Sequence, residues 1–160
     1  MEYARLPEGF KPLVGIEAAT IDDKGRVLFN KKKRERLGDN FAIVVTKRGC
    51  LAAYPAVIWQ RMLENVFSYE DINDGREEYT RLFFSLSDDD LNFDGQGRVV
   101  IPKELRDFCK LKKDVKLIGA GDRIEIWAVE EYSSFLNDKV HYAEDRRKEM
   151  IDAYEAMVGK

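Results

Sequence analysis

An aspartate stands four residues ahead of an arginine, with a glycine just before the arginine, at Asp22, Gly25 and Arg26; the same triple returns at Asp94, Gly97 and Arg98. A carboxylate at that spacing can brace a guanidinium, and a braced guanidinium offers a rigid fork of donors to guanine O6 and N7 or to a phosphate. The plainer reading is turn chemistry, with the aspartate bonding its own backbone and the glycine supplying a positive φ. That explains the aspartate and the glycine. It gives no reason for a guanidinium twice at one offset, so contact with nucleic acid is the chemistry these residues point to.

Other chemistry has little to stand on. His141 is the single histidine, which excludes histidine clusters and most zinc sites. Cys50 and Cys109 lie far apart without a CxxC spacing, and read as small buried hydrophobes in a reducing compartment rather than a disulfide. LIGAG at Leu117–Gly121 has Ile124 where a dinucleotide loop needs its third glycine, and a strand follows instead of a helix. DLNFDG at Asp90–Gly95 opens like a calcium loop, but Ile101 stands where a bidentate glutamate is required. Asp88, Asp89 and Asp90 are consecutive, so an extended chain cannot aim all three at one ion, and a solvated acidic turn is expected. No catalytic residues, metal or cofactor are expected. An enzyme would have to be built from carboxylates and lysines alone.

To hold two equivalent arginines the chain must repeat the elements around them. Positions 22–37 laid on 94–109 share six of sixteen residues: Asp22, Gly25, Arg26, Val27, Lys31 and Arg34 match Asp94, Gly97, Arg98, Val99, Lys103 and Arg106. After one inserted residue, Cys50–Tyr54 falls on Arg123–Trp127 and Trp59–Leu63 on Tyr132–Leu136. Each half begins with an extended segment, Val14–Ile21 or Leu91–Phe93, then the turn, then a β-branched or aromatic strand, Val27–Phe29 or Val99–Ile101. A helix follows: Lys31–Leu37 closed by Gly38, and Lys103–Cys109 opened by Pro102. Next come hairpins at Phe41–Tyr54 and Val115–Trp127, turning at Lys47–Gly49 and Gly119–Asp122. The closing helices are Ala56–Phe67 and one from near Glu130 to about Met157.

Each half therefore reads β–β–α–β–β–α, and about seventy residues bury a stable core poorly alone. The expected fold is α+β, with two pseudo-symmetric halves interlocked into a small mixed β-barrel with peripheral helices. The expected boundaries are 14–67 for the first half and 68–90 for an acidic connector with a helical stretch near Gly75–Leu86. The second half is 91–136, and 137–160 is a helical tail.

Net charge is −3, yet the charge is segregated. Lys24–Arg36 holds seven basic residues against Glu35 alone, and Glu64–Asp94 holds ten acidic residues against Arg76 and Arg81. No apolar run approaches the roughly 18 residues that span a bilayer. The opening MEYARLPEGFKPLVG has no secretory pattern, so a cytoplasmic protein is expected.

Five stretches together resemble one family: LVGIEAATIDDKGRVLF, CLAAYP followed by Trp59, RLFFS, LNFDGQGRVVIPKELRDF and VKLIGAGDRIEIW. They look like the MraZ family, bacterial transcriptional regulators of the division and cell-wall gene cluster built from tandem halves of the AbrB-type swapped-hairpin fold. The resemblance runs from about Val14 to Phe135. It implies a swapped-hairpin-like barrel and a DNA-binding repressor that acts on short direct repeats in its own promoter. It also implies a closed ring of many subunits, associated with the nucleoid. The partners it implies are double-stranded promoter DNA and further copies of the chain, with no membrane.

The family's DNA signature, Asp-x-x-x-Arg, falls on Asp22/Arg26 and Asp94/Arg98. With the basic residues around them, the expected DNA-binding set is Asp22, Lys24, Arg26, Lys31, Lys32, Lys33, Arg34, Asp94, Arg98 and Lys103. The chain departs from the family pattern in Asn30, where proline is usual, in about eleven residues before Val14, and in the tail after Phe135. The alternative reading is an antitoxin-like or other protein-binding module of the same fold, gripping a partner with the connector or the C-terminal helix. The Lys31–Arg36 cluster argues against that as its sole role. Lys24 and this cluster flank Arg26, while Asp88–Asp90 precede Arg98, so the first loop is expected to carry more of the binding.

Overall fold

The run Phe41–Val45 has no polar side chain, and such a strand needs cover on both faces. The computed structural model, which describes residues 6–159, gives it that cover. Phe41, Ile43 and Val45 enter one apolar cluster, and Ala42 and Val44 enter another. The elements follow the repeat. The first half runs β1 (Ile16–Thr20), β2 (Arg26–Leu28), α1 (Lys31–Leu37), β3 (Phe41–Val45), β4 (Leu51–Tyr54) and α2 (Ala56–Val66). After α3 (Asp74–Ser85) come β5 (Ser87–Leu91), β6 (Arg98–Val100), α4 (Lys103–Phe108), β7 (Asp114–Gly119), β8 (Ile124–Ala128) and α5 (Val129–Asn137). Behind them lies α6 (Glu144–Val158). The α+β class and the strand–helix order of each half agree with the sequence.

Six strands form one antiparallel sheet in the order β1-β7-β8-β4-β3-β5, and β2 pairs with β6 as a separate ribbon. Both orders read the same when the halves are exchanged, so a pseudo-twofold axis passes between β4 and β8 and between β2 and β6. The interlock is an exchange of partners. In β1 of the first half Ile16 lies opposite Ile118 of β7, and in β5 of the second half Leu91 lies opposite Phe41 of β3. Val27, Phe29, Val99 and Ile101 from the ribbon strands and their ends, with Leu37 and Leu105 from α1 and α4, fill the cluster on one face of the sheet.

The sheet does not close into the expected barrel; β1 and β5 remain its edges. The register of β5 against β3 shifts between Phe41 and Ile43, and Asp90 sits at φ 54°. A bulged strand carrying Asp88–Asp90 resists pairing with the same edge of a second copy. These aspartates lie in a strand, not in the acidic turn expected of them.

The single closing helix expected from Glu130 to Met157 is two helices. Asp138 Oδ1 accepts the backbone N–H of His141 at 3.1 Å, and Ala143 takes φ 50°, which interrupts the helical path. As a result α6 holds in the second half the place that α3 holds in the first, and the two pack together. A Cβ on Gly75 would run into the Met157 backbone, and Asn73 Nδ2 donates to Met157 O at 3.0 Å. Trp59, Tyr79, Phe83, Met150 and Met157 bury the other face of the sheet. The expected connector thus contributes one helix of the repeat and, from Ser87, an edge strand.

Cys50 and Cys109 are free and buried, and burial pushes the Cys50 thiol up to about 12. Among the described residues no helix is long and apolar enough to cross a membrane.

Candidate nucleic-acid interface

Each arginine loop is a closed hydrogen-bonded turn. In the first, Gly25 N donates to Asp22 O and Asp22 N to Arg26 O, both at 3.0 Å. Asp22 Oδ1 accepts the N–H groups of Lys24 and Arg26, each at 2.9 Å, while Oδ2 takes Arg26 Nε at 2.7 Å. The second repeats every bond. Asp94 Oδ1 accepts Gln96 N and Arg98 N at 2.9 Å, and Oδ2 takes Arg98 Nε at 3.0 Å. The backbone N–H of Arg26 holds the Asp22 carboxyl below the usual carboxylate range, and that of Arg98 does the same for Asp94; the arginine side chains add to both shifts. Both aspartates therefore stay charged at neutral pH. Both braces use Nε alone. Both arginines are half-buried, and among the described residues no hydrogen bond or ion pair engages Nη1 or Nη2 of either, so each fork is fixed through Nε with its Nη donors unspent.

The ribbon decides which residues surround each loop. Antiparallel pairing sets Arg26 opposite Val100 and Leu28 opposite Arg98, so each strand runs from its own loop toward the other. Phe29 N donates to Gly97 O at 3.2 Å, and Ile101 N to Gly25 O at 2.9 Å. The helices begin just beyond these crossings. A Cβ on Gly97 would sit 2.5 Å from Arg34 Nη1, and one on Gly25 would sit 3.0 Å from the Arg106 guanidinium. Arg34 thus backs the second loop and Arg106 the first.

This rearranges the basic cluster expected around Arg26. Lys31 and Lys32 are exposed at the start of α1, the helix whose Arg34 lies against the second loop. Lys31 Nζ lies 3.8 Å from Glu35, and Asn30 Oδ1 caps the helix through Lys33 N at 2.9 Å. Lys33 does not belong to an exposed face. It is 4% exposed, with Nζ 4.0 Å from Glu17 Oε1, because its side of α1 is also that of buried Leu37. The repeat carries a signal for this, since position 33 aligns with Leu105, a core residue of α4. Lys24 is exposed on the first loop, and Lys103 is exposed and paired with Asp107 at 2.6 Å.

Three cations not singled out from the sequence lie beside the first loop. Ile21 N donates to Lys113 O at 2.8 Å, and a cleft of about 400 Å³ is lined by Asp22, Asp23, Arg106, Leu111, Lys112 and Lys113. The second loop has no such lysines. Its neighbours are Asn40, whose backbone N–H donates to Asn92 Oδ1 and whose Oδ1 accepts from Asn92 Nδ2, and the strand that carries Asp88–Asp90.

This arrangement defines a class: a tandem-repeat protein whose interlocked halves each present an acid-braced arginine on a tight turn. Sequence comparison then names the family. The family model for the MraZ protein, described as antitoxin-like, matches residues 13–81 and again 85–153. The second match ends within α6, well past Phe135. Relatives titled transcriptional regulator MraZ include those of Kineococcus radiotolerans, 34% identical over 86% of this chain and 96% of its own length, and Carboxydothermus hydrogenoformans, 32% identical over 87% and 96%. That of Heliobacterium modesticaldum is 35% identical over 82% of this chain and 92% of its own. The chain belongs to the MraZ family.

Proposed function

We propose that the chain is a sequence-specific DNA-binding transcriptional regulator, a repressor of the division and cell-wall gene cluster that binds short direct repeats in the promoter. The observation that carries this reading is the pair of arginines held through Nε with their Nη atoms unengaged. Such a fork matches guanine O6 and N7, while Lys24, Lys112, Lys113, Lys31 and Lys32 stand where phosphates would pass. The related regulators support the assignment to transcription, and the gene cluster and the promoter repeats rest on the family resemblance. The working place is the cytoplasm, on the nucleoid.

Assembly into a closed ring belongs to the same reading. A single loop pair offers few contacts, so linked copies raise affinity for repeated boxes through effective concentration. The two open sheet edges are unlike: β1 exposes Ile16 beside a groove lined by Leu28, Val115 and Val129, and β5 carries aspartates. Unlike edges suit head-to-tail association. The antitoxin-like alternative gains nothing from α3 and α6, which bury their apolar sides against each other.

The test is binding of labelled promoter DNA at several salt concentrations. Affinity is expected to fall by orders of magnitude between about 50 and 200 mM salt if several phosphates are contacted. A flat response, or equal affinity for unrelated DNA, would count against the reading. Light scattering should find an oligomer larger than a dimer.

A further inference from the structure

The turn between β3 and β4 stands at the opposite end of β3 from the arginine loops, and the start of α6 packs on it. Gly49, at φ 88°, admits two α6 arginines: a Cβ there would lie 3.2 Å from Arg147 Cδ and 3.3 Å from Arg146 Nη2. Arg146 has a counter-charge in Glu131 at 3.3 Å. Arg123, on the other hairpin, has Asp122 at 3.0 Å and Glu125 at 2.8 Å. Arg147 is treated differently. Its Nε and Nη1 donate to the carbonyls of Lys47 and Tyr142 at 2.7 and 2.9 Å, which fixes the guanidinium without neutralising it. No described carboxylate forms an ion pair with Arg147 or with exposed Arg48. Partial burial, with the charge of Arg48 nearby, draws Arg147 below the usual arginine range. Lys47 Nζ sits 3.4 Å from the centre of the Tyr154 ring. Lys47, Arg48, Arg147, Ile151, Tyr154 and Glu155 line a cleft of about 300 Å³.

Arg146 also holds the turn through a carbonyl, that of Gly49 at 3.2 Å, but Glu131 balances its charge, whereas the charge of Arg147 stays open to a ligand. We propose that this cleft binds a small molecule bearing a phosphate or diphosphate group, held by Arg48 and the remaining Nη2 of Arg147. The organic part lies against Tyr154 and Ile151, and Glu155 offers an acceptor to a hydroxyl. Because two carbonyls already orient Arg147, little side-chain freedom is lost on binding. The volume is at the small end of the range for ligand clefts and suits a compact ligand.

Inorganic pyrophosphate is the probe, titrated into the full chain at constant ionic strength. One site per chain is expected by calorimetry, and at ten times Kd the melting temperature should rise by about 3–6 °C. Arg48→Glu should abolish both signals without lowering the melt without probe, since it puts an opposite charge beside Arg147 where a like one stood. Arg26→Ala should keep both, which separates this cleft from the DNA loops. Absence of heat and shift, persistence of either in Arg48→Glu, or their loss in Arg26→Ala overturns the proposal. The measurement uses no DNA, so its outcome is independent of the regulator reading.

Discussion

The Asp22–Arg26 and Asp94–Arg98 loops share every backbone and side-chain hydrogen bond of the turn, yet their surroundings are unlike. The first is ringed by Lys24, Lys112, Lys113 and Arg106, of which three come from the second half of the chain. The second is backed by Arg34 from the first half, with exposed Lys31 and Lys32 earlier on the same helix, but preceded by three aspartates. An interlocked repeat therefore makes two copies of one device and gives each its neighbours from the other copy. Charge counted along the sequence assigns the basic helix to the wrong loop. The first loop stays the more positive for a different reason, its lysines before β7.

The largest expected effect is the loss of a fork. Arg26→Ala should cost about 1–3 kcal/mol of binding, or roughly 5–150-fold in affinity, and Arg98→Ala measurably less. Anisotropy with one promoter fragment at fixed salt makes the comparison, and equal losses would remove surrounding charge as a determinant. Neither change should shift the melt by more than about 1 kcal/mol, since the backbone hydrogen bonds that close each turn onto its aspartate remain. A collapsed melt would return the motif to pure turn chemistry.

A second contrast lies in stability. Gly25 and Gly97 sit at φ 81° and 82°, so alanine at either is strained by about 1–2 kcal/mol. At Gly97 the new methyl would also push Arg34, which is nearer than Arg106 is to Gly25. Gly97→Ala should therefore be the more destabilising in urea unfolding; the reverse order would mean that the backing arginines yield freely. Smaller still is the salt response. Lys112→Ala with Lys113→Ala should lower the slope of log affinity against log salt by about 1–2, one phosphate contact being worth about 0.9. An unchanged slope would place the DNA path away from that rim.

What the sequence reveals follows from where each signal resides. Phe41–Val45, Pro102 and the turn glycines announce their elements locally, so strand and helix order is legible. The loops are legible too, because bracing needs only residues within one turn. Lys33 is hidden because a lysine inside a basic run looks like its neighbours, and only its alignment with Leu105 marks it as inward. The pairing of α3 with α6 is hidden because their sequences diverge while their place in the repeat does not. Arg34, Arg106, Lys112 and Lys113 reach their loops through the ribbon register and the exchange of β1 and β5, and no local pattern encodes either.

The smallest effect tests that crossing directly. Lys32 is six residues from Arg26 in sequence, yet it opens the helix that starts beside Gly97. If Lys32 and Arg98 touch one stretch of backbone, removing both should cost a different amount from the sum of the single losses. Residues that share a contact couple by about 0.5 kcal/mol or more, while separated ones add within about 0.3–0.5 kcal/mol. A double-mutant cycle of Lys32→Ala with Arg98→Ala should show coupling, and one with Arg26→Ala should be additive, both read as affinity for the same fragment. Lys32 suits the test because it is exposed and its removal should leave α1 and its Asn30 cap intact. Coupling to Arg26 in place of Arg98 would mean that DNA follows the order of the sequence, not the crossed arrangement of the ribbon. Additivity in both cycles would place Lys32 off the DNA path, leaving the second loop to bind through Arg98 alone.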